Sequence, residues 1–519
     1  MKRTILLTLP TLAVLTTCMA EENEKPNIIF ILADDMGYGD ISYFDANSKI
    51  KTENLDGMAR EGVVFTDAHS SSSVSTPTRY GVLTGRYNWR SDLKQSVLGG
   101  FSPALIRQNR STMATMLGKQ GYTTAAIGKW HLGWDWAKRD TQQAAINAED
   151  LSWIDKNVDY TKPVTNGPTT RGFDYYYGFC GSLDMPPYVY IENDMPTSLP
   201  DRVTENKGKY SWWRKGPTGA DFVHEEVLPN LIDRACNYVK EKASSDQPYF
   251  LYLPLPAPHT PILPVEEFRG KSGLGDYADF VLMVDAMVGR VLQAVKESGE
   301  DDNTIVVFTT DNGCSPAAGI NELIAQGHYP NSIYRGHKAD LFDGGHRIPC
   351  ILRWPGGAKP HHVEQTVCLT DFYATFAALN GYKLKDTEGE DSYSLLPAIV
   401  SETEVSPIRE ATVHHSIAGQ FTIRQGEWKL LLSPSSGGWS APKPNDSTAL
   451  ASLPPVQLYN MKTDPSEQKN VEAQHPEKVA KLRSLLIKYV EEGRSTPGKP
   501  QKNDGDYPWK QLNDVFIKK

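Results

Sequence analysis

The chain is poor in the residues that would announce a disulfide or zinc framework. Six cysteines are spread over 519 residues, and none forms a CxxC pair. Without a leader, five remain: Cys180, Cys236, Cys314, Cys350 and Cys368. An odd, scattered set of this kind reads as small buried residues with one or two bridges at most. Positive charge is also short. The 54 Lys and Arg residues face 63 Asp and Glu, a formal net charge of −9, which excludes a general nucleic-acid binder and leaves room for a local basic pocket. No segment past the first twenty residues is apolar enough to cross a membrane. Within those twenty, MKRTILLTLPTLAVLTTCMA places Lys2 and Arg3 before a short apolar run and small residues. That is an export signal, cleaved after Ala20, with lipidation of Cys18 as the alternative, and it predicts a periplasmic or secreted protein. No internal repeat is visible. Core material is plentiful, with 39% hydrophobic and 10% aromatic residues, so the chain folds, and its length asks for a large domain plus a smaller one.

Short apolar runs alternate with longer segments of helical period, the pattern of a mostly parallel α/β sheet flanked by helices. The strands expected are 27–33, 123–128, 248–254, 304–310 and 349–354. Helices are expected over 111–120, closed by Gly121; over 221–243, with Asp221 as candidate cap; and over 276–298, ending at Gly299. Near residue 385 the texture changes. FTIRQGEWKLLL (421–432) reads as a hairpin turning at Gln425-Gly426, 433–446 as a loop, and 477–493 as an amphipathic helix. The organisation predicted is a leader (1–20), an α/β domain (21–385) and a smaller α+β domain (386–519).

Ionisable residues gather where the apolar runs stop. Asp34-Asp35, Lys129-Trp130-His131, Pro258-His259 and Asp311-Asn312 each follow a different run. Ligands of open α/β sheets bind beyond the carboxyl ends of strands, so the four clusters should meet. Asp34, Asp35, Asp311 and Asn312 offer only oxygen, which suits calcium or magnesium rather than zinc. Arg79, Lys129 and Lys338 would make a pocket for a compact tetrahedral anion. His131 and His259 could move protons. Ser75 stands in SVSTPTRYGVLTGR without a base nearby in sequence, and a bare serine hydroxyl is a poor nucleophile.

With these residues in place, the sequence resembles the formylglycine-dependent sulfatases of the alkaline phosphatase superfamily. The resemblance rests on Ser75-Thr76-Pro77-Thr78-Arg79, followed after four residues by Thr84-Gly85-Arg86, and on ADDMGYGD, GKWHLG, PAPHTP, TTDNG and GHKADLFDGGHR in order across residues 26–385. It implies an alkaline phosphatase-like fold and oxidation of Ser75 to formylglycine, whose hydrated aldehyde attacks sulfur. It further implies that Asp34, Asp35, Asp311, Asn312 and the modified Ser75 hold calcium, with magnesium the alternative. Arg79 would steady the nucleophile, Lys129 and Lys338 hold sulfate oxygens, His131 assist, and His259 protonate the leaving oxygen. Serine in place of the commoner cysteine implies a maturase of the anaerobic radical type.

The pattern is similar to bacterial arylsulfatases and N-acetylgalactosamine-6-sulfatase-like enzymes, which implies a glycan carrying 6-O-sulfated galactose or N-acetylgalactosamine. Asp184, Trp212 and Trp213 are candidate sugar contacts. Two rivals stay open: a phosphomonoester or phosphonate hydrolase of the same superfamily, and a non-catalytic sulfoglycan-binding protein with unmodified Ser75.

Overall fold

The computed structural model describes residues 25–141 and 157–516. The export signal and Cys18 lie outside the described residues. Ten strands form the main sheet. At its centre, β1 (Asn27–Ala33) runs parallel to β9 (Tyr249–Pro254) on one side and β10 (Thr304–Thr310) on the other. β3 (Thr123–Lys129) and β4 (Tyr175–Phe179) continue the parallel set past β9. Short β5 (Ile191–Glu192) and β6 (Met195–Pro196) close that edge antiparallel. Beyond β10, β11 (Cys350–Arg353) is antiparallel and leads to β2 (Val63–Phe65) and β12 (His361–Val363). A separate hairpin joins β7 (Pro200–Asn206) and β8 (Trp213–Gly219).

β1 shows why this sheet needs helices on both faces. Its side chains alternate: Ile29, Ile31 and Ala33 enter the cluster that buries α3 (Val227–Lys242) and α4 (Asp276–Ser298). Ile28, Phe30 and Leu32 enter the opposite cluster with α1 (Ser75–Thr84), α2 (Met113–Lys119) and α5 (Asp371–Leu379). All seven β1 residues are buried, and the six from Ile28 to Ala33 are apolar, as cover on both faces requires.

A four-stranded antiparallel sheet completes the fold: β13 (Thr412–His415), β14 (Phe421–Gln425), β15 (Trp428–Leu431) and β16 (Gln457–Asn460), packed on α6 (Pro476–Glu492). The hairpin turns one residue later than expected. Gln425 pairs with Trp428, so Gly426 and Glu427 make the turn, with Gly426 at φ +57°. Asp221 does not cap α3, which starts at Val227; its carboxylate instead accepts from Thr197 Oγ1 at 2.6 Å and Ser198 Oγ at 2.5 Å. The five described cysteines are buried and unbridged. No helix among the described residues is long and apolar enough to cross a membrane.

Segments beside the main sheet meet the small sheet through a buried polar network. His69, His346 and His414 bring ring nitrogens within 4.8 Å of one another. All six nitrogens have partners: His69 Nδ1 meets His346 Nδ1 at 2.9 Å, and the other four meet Asp67, Leu341 O, Ser70 O and Thr412 Oγ1. Lys429 and Arg424 lie 3.3 and 3.4 Å from two of those nitrogens, so this is a hydrogen-bonded junction rather than a cation site. Lys429 Nζ sits 2.7 Å from both Asp343 and Glu467. One ammonium between two buried carboxylates leaves one of them under-compensated. Burial pushes the Glu467 carboxyl up to about 7 from its ordinary 4.5, with Lys429 pulling it down and Asp343 pushing it up.

A raised carboxyl binds its proton more tightly folded than unfolded. Its stabilisation is therefore complete below pH 4.5 and lost as pH rises to about 7. Glu467→Gln should flatten the stability profile over that window by about 3 kcal/mol at most. Urea unfolding at several pH values measures this, and an unchanged slope would refute it.

Candidate active site

The four strand-end clusters converge. Asp34 and Asp35 follow β1, Asp311 and Asn312 follow β10 beside it, Lys129 ends β3, and His259 lies five residues beyond β9. Asp311 N donates to Ala33 O at 3.1 Å and Asp34 N to Ala257 O at 3.0 Å, which locks the strand ends together. Asp35 takes a left-handed backbone (φ +66°).

The serine arrives on α1. Val74 is extended (φ −143°, ψ 159°), and the helix starts at Ser75 with all ten residues buried. Ser75 and Arg79 are one turn apart and face the same carboxylate: Ser75 Oγ donates to Asp311 Oδ2 at 2.6 Å, and Arg79 Nη2 reaches the same oxygen at 2.9 Å. The rest of the motif builds the support. Thr78 Oγ1 donates to Ser72 O (2.8 Å), and a Cβ at Gly81 would meet Ser71 Oγ at 2.5 Å. Gly85 ends the helix at φ +62°, the left-handed position that glycine favours. Arg86, fully buried, holds Tyr80 Oη, Lys502 O and Asp504.

Around Ser75 the charges interleave. Lys129 Nζ is 2.6 Å from Asp34 Oδ2 and 3.4 Å from Ser75 Oγ, and Asp34 Oδ1 lies 3.2 Å from Ser75 Oγ. Lys338 Nζ is 2.8 Å from Asp35 Oδ2, and Asn312 Nδ2 donates to Asp35 Oδ1 at 2.7 Å. Burial would raise the Asp34 carboxyl, but Lys129, His259 and Arg79 hold it well below the usual carboxylate range. Burial lowers the Lys129 ammonium despite Asp34. Lys338 is raised, because Asp35, Asp34 and Asp311 outweigh its burial.

His131 Nε2 donates to Leu98 O at 2.7 Å, which fixes the tautomer and leaves the buried Nδ1 as a lone-pair acceptor without a partner. Burial, then Lys129 and Arg79, hold this imidazole neutral, far below its ordinary value. His259 Nδ1 contacts Thr260 O and lies 3.3 Å from Ser182 Oγ, so its Nε2 is the free end, 3.6 Å from Asp35 Oδ2.

The donors suit a hard cation. Three buried carboxylates and the Asn312 amide contribute oxygen only, and Asn312 Oδ1 is buried without a hydrogen-bond partner. Asp34, Asp35 and His259 also bring ligand atoms within 4.8 Å of one another.

A cleft of about 360 Å³ opens above these groups, lined by Ser75, His131, His259 and Lys338 among others. Asp184 and Trp212 line it too. Arg214 pairs with Asp184, whose Oδ1 is buried without a partner. Trp213 is not in the cleft: it stacks on His224, centroids 3.9 Å apart, and donates to Thr204 Oγ1 at 3.1 Å. Among the residues at the site that the sequence reading does not name are Ser182, Arg214 and Trp439. Ser182 Oγ, 3.3 Å from Lys129 Nζ, lies three residues past β4, and the same strand-end rule finds it once YYYGF is read as a strand. Arg214 sits in the WWRKGPTG insert already singled out for its tryptophans. Trp439 lies in a loop between β15 and β16, where no sequence pattern points to a site.

Comparison with known proteins gives one answer. Residues 26–382 match the family model described as Sulfatase. The chain is 32% identical over 523 residues to N-acetylgalactosamine-6-O-sulfatase of Bacteroides thetaiotaomicron, covering 92% of this chain and 97% of that one. It is 28% identical to human arylsulfatase A, covering 94% and 92%. A solved structure from a Bacteroides thetaiotaomicron study of glycosaminoglycan metabolism superposes with a TM-score of 0.77 at 31% identity, over 90% of this chain and 99% of that one. Another, solved with a bound neocarrahexaose, gives 0.67 at 25% identity over 92% and 95%. The strand-end carboxylates, the serine-bearing helix and the match along nearly the whole chain lead to one statement: this protein belongs to the sulfatase family and is a sulfuric ester hydrolase.

Proposed function

We propose that the chain is an exported enzyme that removes sulfate from a carbohydrate, a glycan bearing 6-O-sulfated galactose or N-acetylgalactosamine, using a formylglycine made from Ser75. Similarity to a relative named for N-acetylgalactosamine 6-sulfate, over nearly the full length of both chains, supports the sugar. One observation carries the chemistry: Ser75 Oγ lies at the cleft, within 3.4 Å of Asp311, Asp34 and Lys129. A formylglycine at this position would supply a hydrated aldehyde as nucleophile, and Asp34, Asp35, Asp311 and Asn312 would hold a calcium or magnesium ion, which when bound would make that hydroxyl more acidic. Arg79 orients position 75 through the carboxylate they share. Lys129 and Lys338 bind the sulfate oxygens, with the cleft side open to Lys338. His131 Nδ1, an acceptor held neutral, takes a proton from the nucleophile side, and His259 Nε2 delivers one to the departing alcohol. Asp184 Oδ1 accepts from a sugar hydroxyl, a bond that a buried carboxylate oxygen otherwise lacks.

In this reading residues 1–20 direct export, 21–385 form the catalytic domain, 386–519 the smaller one, and an anaerobic-type maturase oxidises Ser75. Two measurements test it together. The peptide containing residue 75, from the native host, should be two hydrogens lighter than encoded. The protein should release sulfate from N-acetylgalactosamine 6-sulfate. Release of phosphate alone from phosphate esters would overturn the assignment.

Removing the cation should be visible without activity. Chelation with EDTA should lower the melting temperature, and calcium at a hundred times its Kd should restore about 2.7 kcal/mol. Indifference of the melting temperature to both would remove the cation from the site.

A further inference from the structure

A loop of the smaller sheet is stapled to the segment that carries Lys338. Asp340, fully buried, accepts through Oδ1 from Trp439 N (2.8 Å) and Ser440 N (3.1 Å), and through Oδ2 from His337 N (3.0 Å). Leu341 N donates to Ser436 O at 2.7 Å, and Ala339 is bonded on both sides, its N to Ser73 O (2.8 Å) and its O to Ile417 N (3.2 Å). The fit is backbone on backbone: a Cβ at Gly438 would meet Ala339 O at 2.3 Å. The loop is braced internally as well, with Ser436 Oγ donating to Ser440 O at 2.7 Å.

This bracing holds one side chain out in the open. Trp439 is 42% exposed, and it lines the same cleft as Ser75, His259 and Lys338. A large exposed indole on a rigid loop is not explained by packing, since the loop is anchored through its backbone and its serines. Trp212, on the hairpin insert, lines that cleft too. A pyranose ring has an apolar face of C–H groups and an edge of hydroxyls. An indole covers the first kind of surface, and the unpartnered Asp184 Oδ1 accepts from the second.

We propose that Trp439, aimed by Asp340, is a carbohydrate platform: it stacks on the sugar ring bearing the sulfate ester, so the substrate site is completed by the smaller sheet. Asp340 is a positioning residue that acts on Trp439 and the Lys338 segment together. The proposal rests on the reading that a sulfated sugar enters this cleft.

The test is the steady-state kinetics of Trp439→Ala and Trp439→Phe on N-acetylgalactosamine 6-sulfate, or on whichever sulfated sugar the wild-type protein turns over fastest. Trp439→Ala should raise KM about tenfold or more with kcat within a factor of three, and Trp439→Phe should recover most of the loss. A merely structural role would lower kcat and the melting temperature without aromatic rescue. Asp340→Ala should raise KM and also lower kcat, because both loops slip. An unchanged KM in Trp439→Ala, with wild-type turnover intact, overturns the platform alone. Failure of the wild-type protein to act on any sulfated sugar overturns both readings.

Discussion

Ser75→Ala should lower kcat on a sulfate ester by about 10,000-fold or more, the scale expected when the attacking group itself is lost. The fold should survive the change. The hydroxyl donates to Asp311 and lies 3.2 Å from Asp34, but those carboxylates keep Arg79 and Lys129, at 2.9 and 2.6 Å. The melting temperature should therefore move by no more than about 2 °C, with loss of one hydrogen bond costing about 1 kcal/mol. Binding of the sulfated sugar, read by calorimetry, should stay within tenfold of wild type, because Lys338, Asp184 and Trp212 remain. This pattern separates an enzyme from a sulfoglycan-binding protein. Equal turnover by Ser75→Ala and wild type would remove Ser75 from the chemistry.

The second large effect is on stability and lies away from the cleft. Arg90 forks onto Asp391, Nε to Oδ2 at 2.8 Å and Nη2 to Oδ1 at 2.9 Å, and its Nη1 reaches Tyr489 O in α6 at 2.8 Å. Its guanidinium lies over Trp89 at 4.2 Å. Both charges are fully buried. Burial would raise the Asp391 carboxyl, but Arg90 holds it below its ordinary value. Arg90→Ala strands a buried carboxylate, which costs about 3–5 kcal/mol. For a chain of this length that is a fall in melting temperature of roughly 3–5 °C. Replacing both partners, Arg90→Met with Asp391→Leu, should recover part of the loss, because no charge is then left unpaired. A single variant as stable as wild type would show that water or another cation reaches Asp391.

Much of the fold was legible because its central strands are buried on both faces. Runs such as NIIFILA and TIVVFTT have nowhere to go but a covered parallel sheet, and their limits, 27–33 and 304–310, match the structure residue for residue. The edge elements were harder to read. YYYGF forms β4, yet its aromatics carry no alternation that marks a strand, and the two-residue strands beside it have no period at all. Asp221 looked like a cap by composition, but the hydroxyls of Thr197 and Ser198 claimed its carboxylate first.

The site divides in the same way. Convergence of Asp34, Lys129, His259 and Asp311 follows from strand ends in one sheet. Lys338 has no such anchor, because its loop is shaped by Ser73, Ile417 and Ser436, distant in sequence; its charge within the Gly-rich segment YRGHKADLFDGGHRIP and the family resemblance single it out. Adjacent tryptophans parted for a local reason. Trp213 begins β8, and neighbouring side chains at a strand face opposite ways, so Trp212 took the cleft and Trp213 the stack on His224.

The staple between residues 339–341 and 436–440 bears on how such a chain could diversify. Exchanging the whole small sheet for that of a relative would import a loop whose glycines must fit Ala339 O and whose backbone must meet Asp340, or else misplace Lys338. Wholesale recombination at that seam is therefore expected to be sterile. New sugar preferences are reached more easily by single replacements at outward-facing positions, Trp212 and Trp439, which leave the seam untouched.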